Sequence, residues 1–295
     1  MKQSKRINEI ILFTKLANYL ASLSLCGHNN SQKIDNKELI NIECINDCVK
    51  NKKVVADIAC DHGYIGYCVL ENKLADKVIF SDISVKSLEK ASNLMKNQDK
   101  FADFEFLVGD GLNVLYTTVF ASIIAGVGGR EIVKILSNKD KVKLSQFFIL
   151  QTSQDDTFLR GMLSNLGLHI LCDKMVLDGG HIYHTFLVGH EIIDDIDVIC
   201  FDFFTSCGLI NKYALTHEDF DVYKQFNCKY YGKNNLLISS SDHKIMLNWE
   251  IDRLTKILSG LEDNSKYNEE TGSKTKNQYK AMIKEKLRVL DKMRR

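Results

Sequence analysis

The segment from Val54 to Val188 alternates short runs of branched apolar residues with stretches that have helical spacing. Such alternation is typical of βαβ units, which place parallel strands side by side in one sheet. We predict strands at 54–58, 78–81, 104–108, 121–125 and 147–151, and helices at 65–73, 85–96, 130–136 and 156–166. Two further strands, 169–177 and 182–188, flank a Gly-Gly turn. The sequence therefore predicts an α/β fold with five parallel strands closed by an antiparallel hairpin.

Apolar residues at helical spacing also occur on both sides of this segment. Residues 5–25 predict an amphipathic helix, followed by a polar, asparagine-rich insertion, with one face formed by Leu12, Leu16, Tyr19, Leu20 and Leu23. Near the C-terminus two apolar stripes joined by the polar stretch 262–275 predict an antiparallel helical hairpin, with Leu247, Ile251, Leu254, Leu258 and Leu261 in one stripe and Tyr279, Ile283, Leu287 and Leu290 in the other. We therefore expect an N-terminal helix with insertion (1–50), a sheet domain (51–200) and a helical C-terminal domain (201–295).

Neither the apolar runs nor the cysteines indicate a membrane segment or a metal site. The longest apolar runs, such as 147–150 and 196–204, are too short to cross a bilayer, and no signal-peptide cleavage pattern follows the first helix. The nine cysteines are scattered without C-x-x-C spacing, so we expect reduced thiols. The sequence thus predicts a cytoplasmic protein with no membrane partner and no metal. It favours a monomer without deciding the oligomeric state.

The loop after the first predicted strand, in the string ADIACDHG (56–63), lies where open α/β sheets bind ligands. A dinucleotide site needs G-x-G-x-x-G to approach a pyrophosphate, but only Gly63 and Gly66 occur here. Asp57 and Asp61 would repel phosphate. A carboxylate would instead attract the sulfonium of S-adenosylmethionine (SAM), by about 4 kcal/mol at ~4 Å with an effective dielectric of ~20. The loop favours SAM over NAD, although a simple turn with Asp61 capping the next helix stays open.

The second and third strand ends add residues that suit a nucleoside. Asp82 follows the second strand about 25 residues after the first loop, where a carboxylate can bind both ribose hydroxyls. The string VGDG (108–111) follows the third strand, and a carboxylate or backbone amide there can bind the adenine edge of the cofactor. Helix capping by Asp82 and an ordinary turn at 108–111 are the alternatives.

The fourth strand runs into IAGVGG (124–129), which has no acid, base, thiol or hydroxyl at its tip. Methyl transfer is an in-line displacement on a reactive sulfonium, so orienting a lone-pair nucleophile supplies much of the acceleration without a strong base. Adenine N1 has such a lone pair. A glycine-rich loop that contacts the acceptor through its backbone is therefore sufficient, and it also fits a purely structural turn.

Charge is unevenly distributed along the chain. The net charge is only +1, but residues 224–295 carry sixteen basic and nine acidic side chains. A basic end suits a polyanionic partner such as a nucleic acid. An ordinary solvated helical surface would have the same composition, so the charge alone leaves both interpretations open.

Taken in order, the strings ADIACDHGYIG, SDIS, VGDGL, IAGVGG, ILQ and LDGGHIYHTFLVG resemble the bacterial tRNA (adenine-22-N1)-methyltransferase family. The resemblance covers roughly residues 52–188. It implies a Rossmann-like seven-stranded methyltransferase sheet with a C-terminal helical hairpin, SAM as methyl donor and tRNA as partner. The acceptor would be adenine in the D-arm region.

The resemblance assigns roles to two sets of residues. The cofactor would contact Asp57, Ala59, Cys60, Gly63, Asp82, Ile83, Gly109, Asp110, Gly111 and Ala125. Catalysis and acceptor binding would involve Asp61, His62, Tyr64, Gly126, Gly128 and Gly129. A tyrosine at position 64 can stack on a flipped adenine or be a half-buried core residue. His62 would position the substrate rather than act as general base, because N1 needs no deprotonation.

The sequence departs from the family pattern at four places. Ala59 replaces a usual Gly, Val127 a Met, Gly66 a Pro, and Thr152-Ser153 a Pro-Asn pair. The last change lies at the ligand edge of the predicted sheet. Two alternatives to the enzyme therefore remain: an RNA-binding protein that keeps the fold without turnover, and a methyltransferase that acts on another RNA or on a small molecule.

Overall fold

The computed structural model describes residues 4–25, 53–96, 98, 103–209, 241–262 and 273–294 of the chain. The insertion predicted after the first helix, residues 210–240 and the link between the last two helices lie outside the described residues. No helix in the described ranges is long and apolar enough to cross a membrane.

Seven strands form one sheet in the order β3-β2-β1-β4-β5-β7-β6. They are β1 (Val54–Ile58), β2 (Lys77–Asp82), β3 (Phe104–Val108), β4 (Val119–Ala125), β5 (Ser145–Thr152), β6 (His169–Asp178) and β7 (His181–Gly189). Strands β1 to β5 pair in parallel, whereas β7 is antiparallel to β5 and β6. The turn glycines Gly179 and Gly180 have φ of 55° and 76°, as a tight hairpin requires. The predicted seven-stranded α/β sheet is confirmed.

Nine described α-helices surround the sheet or extend from it. They are α1 (Lys5–Leu25), α2 (Tyr64–Glu71), α3 (Val85–Met95), α4 (Gly129–Ile135), α5 (Lys139–Val142), α6 (Asp156–Leu163), α7 (Ile196–Ser206), α8 (Ser241–Glu262) and α9 (Ser273–Arg294). The sequence pattern does not predict α5 or α7. Helix α5 is a single turn, and apolar residues occupy seven of the eleven positions of α7, four of them in succession, so that no helical periodicity stands out.

Helices cover both faces of the sheet and bury two separate clusters. On one face, α1, α2, α3 and α7 enclose a cluster that includes Phe13, Phe80 and Phe204. On the other face, α4, α5 and α6 enclose a cluster that includes Phe148 and Phe186. With both faces covered, the strands are nearly continuous in burial, as expected for a parallel sheet.

Helix α1 is buried on more than the single face that its pattern predicts. Leu16 and Leu20 are buried as expected, but Phe13 and the polar Thr14 are also fully enclosed. The reason is α7, whose Phe203 and Phe204 pack against aromatic residues of α1. Because α1 lies between the sheet and another helix, water reaches little of its surface.

Helices α8 and α9 form the predicted hairpin and pack on the β6–β7 end of the sheet. A third apolar cluster joins the buried Met175 and Ile182 of these strands to Leu247, Leu254 and Ile283 of the helices. The C-terminal hairpin is therefore docked on the sheet domain through its own core.

Candidate active site

The carboxyl ends of β1 and β4 form the point at which the strand order reverses. Strand β1 pairs with β2 on one side and with β4 on the other, so the loops after β1 and β4 leave the sheet in adjacent positions. Open α/β sheets bind their ligands in the crevice at this reversal. The loops that sequence analysis assigned to cofactor and acceptor therefore meet at one edge.

Asp57, near the end of β1, is a buried carboxylate beneath this edge. Its Oδ2 accepts a hydrogen bond from the backbone N of Gly66, at 2.9 Å. Burial raises the pKa of Asp57 to about 7, the Gly66 hydrogen bond opposes this, and the nearby Asp82 raises the pKa further. Within the described part of the chain, neither Asp57 nor Asp82 has a cation as ion-pair partner. A positively charged ligand would relieve this unfavourable burial of acid.

Asp82, at the end of β2, holds two loops with its carboxylate. Its Oδ2 accepts from the backbone N of Asp61 at 3.0 Å, and its Oδ1 accepts from the backbone N of Ser84 at 2.8 Å. Each carboxylate oxygen retains a further lone pair, so hydroxyl donors can still bind. Ile83 follows Asp82 with 70% of its surface exposed, as an apolar side chain at the edge of the crevice.

The loop after β1 has a strained backbone. Ala59 and Asp61 have φ of 56° and 44°, in the left-handed region that side chains with a Cβ rarely adopt. Gly63 also has positive φ, at 72°, and a Cβ there would lie 2.8 Å from the Cβ of Ala91. Gly63 is therefore needed for packing against α3. The Cys60 side chain is buried in this loop. Burial is the main reason that its pKa lies well above the usual thiol value, and the negative charges of Asp57 and Asp82 raise the pKa further.

Asp61, His62 and Tyr64 form an exposed cluster at the mouth of the crevice. The His62 ring stacks on the Tyr64 ring with centroids 5.8 Å apart and planes 11° from parallel. Asp61 contacts His62 Nδ1, and the Nζ of Lys90 lies 3.3 Å from Asp61 Oδ1. Burial would raise the pKa of Asp61, but the hydrogen bonds from His62 and Lys90 lower it overall. The cluster thus combines an ionised carboxylate with an aromatic stack.

The loop after β3 approaches the same edge beside β2. The backbone N of Gly109 donates to the Asp82 carbonyl at 3.1 Å, and a Cβ at Gly109 would lie 2.4 Å from Val114 Cγ1. Asp110 is exposed, and Gly111 has φ of 56° as the chain enters a short 3-10 helix. Close packing against Val114 explains Gly109, and the positive φ explains Gly111. The Asp110 carboxylate between them is exposed to solvent.

The glycine loop after β4 contains three glycines with different roles. Beyond the buried Ala125, Gly126 has φ of 80°, and a Cβ built at Gly126 or Gly128 meets nothing within 4 Å. Gly129 differs, because its N donates to the Gln154 carbonyl at 3.0 Å and a Cβ would lie 2.5 Å from the Asp155 carbonyl oxygen. Gly126 and Gly128 therefore border open space, while Gly129 joins this loop to the one after β5.

The loop after β5 carries the Thr152-Ser153 departure. Thr152 is buried, and its Oγ1 donates to the Gln154 carbonyl at 2.7 Å and accepts from the Gln154 N at 3.2 Å. The preceding Gln151 donates through Nε2 to the Arg6 carbonyl at 2.9 Å. Ser153 is exposed at the tip. Thr152 thus closes the turn, and of these two residues only Ser153 is exposed.

Sequence reasoning missed two cations at this edge. Lys90 on α3 binds Asp61, and Arg130 on α4 binds Asp155. Arg130 directly follows the glycine loop, so its position was a usable signal, whereas Lys90 has no marker in the sequence. In the part of the chain that the structure describes, no group of three His, Cys, Asp or Glu side chains is arranged to hold a metal ion.

Residues 40–186 match the protein family described as a methyltransferase domain. A Mycoplasma genitalium protein, MG248, which is provisionally named a tRNA methyltransferase, is 31% identical over 136 residues, or 45% of this chain and 60% of that protein. The B. subtilis m1A22 tRNA methyltransferase TrmK has a TM-score of 0.56 at 17% identity, covering 90% of this chain and all of that one (100%). M. capricolum TrmK, solved with S-adenosyl-homocysteine, has a TM-score of 0.52 at 18% identity, covering 85% and 94%.

These similarities differ in what they establish. The chain spans about three fifths of the curated relatives it matches, 60% and 61% of their lengths. The two solved structures, at 17% and 18% identity, establish the fold. The strand order, the crevice at the β1–β4 reversal and the matched residues 40–186 agree with one another. Residues 40–186 of the chain thus match the methyltransferase domain family, and the described strands form a Rossmann-like seven-stranded sheet.

Proposed function

We propose that this protein is a cytoplasmic, SAM-dependent enzyme that methylates N1 of adenine 22, in the D-arm region of tRNA. One observation carries the proposal. Two enclosed carboxylates without a described cationic partner, Asp57 and Asp82, lie beside the exposed His62–Tyr64 stack. A cationic nucleoside cofactor and a planar acceptor base therefore have complementary places at one edge of the sheet.

The residues of the first three strand ends fit SAM. Asp57 supplies negative charge beneath the crevice, and the remaining lone pairs of Asp82 suit ribose hydroxyls. The exposed Ile83 offers an apolar surface to the adenine of the cofactor, and Asp110 offers an acceptor for its exocyclic amine. SAM, when bound, supplies the methyl group as a sulfonium substituent.

The acceptor base would enter between the His62–Tyr64 stack and the glycine loop. An exposed aromatic ring can stack on an extruded base, which contributes about 1–3 kcal/mol. Gly126 and Gly128 leave the opposite side free of side chains. Adenine N1 attacks with its own lone pair, so no residue needs to remove a proton first. Asp61, whose pKa is lowered, can accept a hydrogen bond from the exocyclic amine as positive charge develops on the ring.

The helical hairpin supports a tRNA acceptor rather than a small molecule. It is docked on the β6–β7 end of the sheet, and the C-terminal region is rich in lysine and arginine. Basic helices neutralise phosphates, and a small acceptor would not need them. The names of MG248 and of the B. subtilis TrmK structure, which mention tRNA, support the same substrate class.

A non-catalytic RNA-binding protein is the second candidate, and the β5 loop favours it. Thr152 and Ser153 stand where the family carries Pro-Asn, and the Thr152 hydroxyl is used within the turn. If Ser153 does not replace the missing group, the crevice would bind ligands without turnover.

The test is transfer of a labelled methyl group from SAM to unmodified tRNA, followed by mass spectrometry of the nucleosides. We expect 1-methyladenosine, and its loss when adenine 22 is replaced by guanine. Binding of tRNA and SAM without methyl transfer would favour the non-catalytic candidate. Methylation of a different base, or of small molecules alone, would contradict the proposed acceptor.

A further inference from the structure

Arg130 is the first side chain beyond the glycine loop, at the rim of the acceptor crevice. It is the second residue of α4, and its side chain is 68% exposed. Helix α4 and the neighbouring α6 both begin at the carboxyl edge of the sheet, after β4 and β5. Arg130 therefore lies between two loops that border the crevice.

Although it is exposed, the Arg130 guanidinium is held by contacts with Asp155 and Phe158, which together are called the Arg130 brace. Its Nε lies 3.4 Å from Asp155 Oδ1, and its Cζ lies 4.4 Å from the centre of the Phe158 ring. Asp155 is itself held in a left-handed conformation, with φ of 55°, and its carbonyl packs against Gly129. The brace is thus part of the junction between the β4 and β5 loops.

We infer that Arg130 binds an RNA phosphate next to the nucleotide that enters the crevice. This inference rests on the proposed function and names a further positioning residue for it. A guanidinium is a planar fork of five N–H donors that matches phosphate oxygens. Phe158 contacts the guanidinium through its ring and Asp155 engages the Nε, so the terminal NH2 groups of this exposed side chain can still bind a phosphate.

A purely stabilising role does not account for this arrangement. Exposed ion pairs contribute little to folding because water screens them and two long side chains lose freedom. Arg130 is more exposed than Asp155, whose side chain is 38% exposed. The contacts order the guanidinium without enclosing it, so the group remains accessible to a polyanion.

The experiment compares Arg130→Gln with Lys134→Gln in steady-state methylation of tRNA. Lys134 lies one turn further along α4, is 71% exposed and pairs with Glu131, so both changes remove one positive charge from the same helix. We expect Arg130→Gln to raise the KM for tRNA about tenfold and to reduce the slope of log affinity against log salt by about 1. SAM affinity and the melting temperature should stay close to those of the wild type. Lys134→Gln should change neither the KM nor the slope appreciably.

Two further variants test the brace itself. Arg130→Lys keeps the charge but loses the planar fork, so we expect an intermediate KM. Phe158→Leu keeps an apolar contact but removes the stacking surface, and it should raise the KM for tRNA less than Arg130→Gln does.

Three outcomes would overturn the inference: equal effects of Arg130→Gln and Lys134→Gln, an unchanged salt slope in Arg130→Gln, or a loss of SAM binding together with tRNA binding. Failure of the wild type to methylate any tRNA would instead contradict the proposed function. Salt-dependent tRNA binding by the same variants would then still decide the role of Arg130.

Discussion

The Nζ of Lys286, on the second helix of the C-terminal hairpin, lies 3.8 Å from Oδ2 of Asp156, the first residue of α6. His184 of β7 approaches the same carboxylate oxygen, at 3.7 Å. All three side chains are largely buried. Burial would raise the pKa of Asp156, but the charges of His184 and Lys286 lower it overall. The hairpin is therefore linked to the sheet by charge as well as by apolar packing, three residues beyond Ser153.

Replacing Lys286 by Met should destabilise the protein. The change leaves Asp156 buried without its ammonium partner, and breaking a buried pair in this way costs roughly 3 kcal/mol. The control is Lys284→Met, two residues earlier on the same helix, where the lysine side chain is 61% exposed and pairs with Glu262. That change should cost less than about 1 kcal/mol. Urea denaturation measures both, and similar midpoints for the two variants would show that the Lys286–Asp156 pair does not stabilise the docked hairpin.

Asp57 should make the protein less stable as pH rises. Its pKa is about 7 in the folded protein, above the ordinary value of 3.8 for an aspartate side chain, so between these two pH values the folded state holds a proton that the unfolded state has lost. The free energy of unfolding should therefore fall as the pH rises from 3.8 to about 7, by roughly 4 kcal/mol at most. Above about pH 7 it should not fall further on account of Asp57.

Asp57→Asn tests this directly, because an amide oxygen can still accept from Gly66 N but cannot ionise. The variant should match the wild type near about pH 4 and exceed it in stability at about pH 8. Its affinity for SAM should fall, since the negative charge beneath the sulfonium is lost. Denaturation at both pH values and calorimetry with SAM give the two measurements. Parallel pH profiles for the two proteins would show that Asp57 ionises normally.

The fold and the first loop were predictable because their signals are local. Apolar runs of the right length mark β1 to β5, and the acids of the first loop follow a strand end directly. Helix α7 escaped prediction because its apolar residues lack periodicity, and the extra burial of α1 follows from α7. The Arg130 brace depends on two loops that meet only after folding. The link between Lys286 and Asp156 is likewise invisible in sequence, since 130 positions separate them.

Replacing Ala59 by glycine should make the folded protein more stable. The left-handed backbone of Ala59, at φ of 56°, costs the folded state about 1–2 kcal/mol. Glycine relieves this strain, but its greater freedom in the unfolded chain offsets about 0.4–1 kcal/mol of the gain. Ala59→Gly should therefore stabilise the protein by roughly 0.5–1 kcal/mol. Lys73→Gly is a matched case outside the site, also at φ of 56°, and should gain a similar amount. Ala56→Gly, in the extended backbone of β1, should instead destabilise. A loss of stability in Ala59→Gly would mean that its methyl group makes a favourable contact.

The glycine loop and His62 provide the test of mechanism. Gly128 has φ of −71° and ψ of 155°, and a Cβ there meets nothing within 4 Å, so Gly128→Val should fold normally. Its branched side chain would project into the space proposed for the acceptor. If catalysis rests on placing adenine N1 in line with the methyl group, this variant should bind SAM but show no turnover. His62→Ala should lose only the stacking partner of Tyr64 and slow the reaction without abolishing it.

Single-turnover methyl transfer at saturating tRNA and SAM distinguishes these effects from weak binding. Gly161→Val is the control for the added volume, because Gly161 lies on α6 and a Cβ there also meets nothing within 4 Å. It should react at the wild-type rate, since it lies away from the crevice. A Gly128→Val enzyme with normal turnover would show that the acceptor does not approach across the glycine loop. A His62→Ala enzyme as inactive as a reaction without SAM would replace the positioning mechanism with acid–base catalysis by His62, because removing a stacking partner alone leaves the in-line reaction possible.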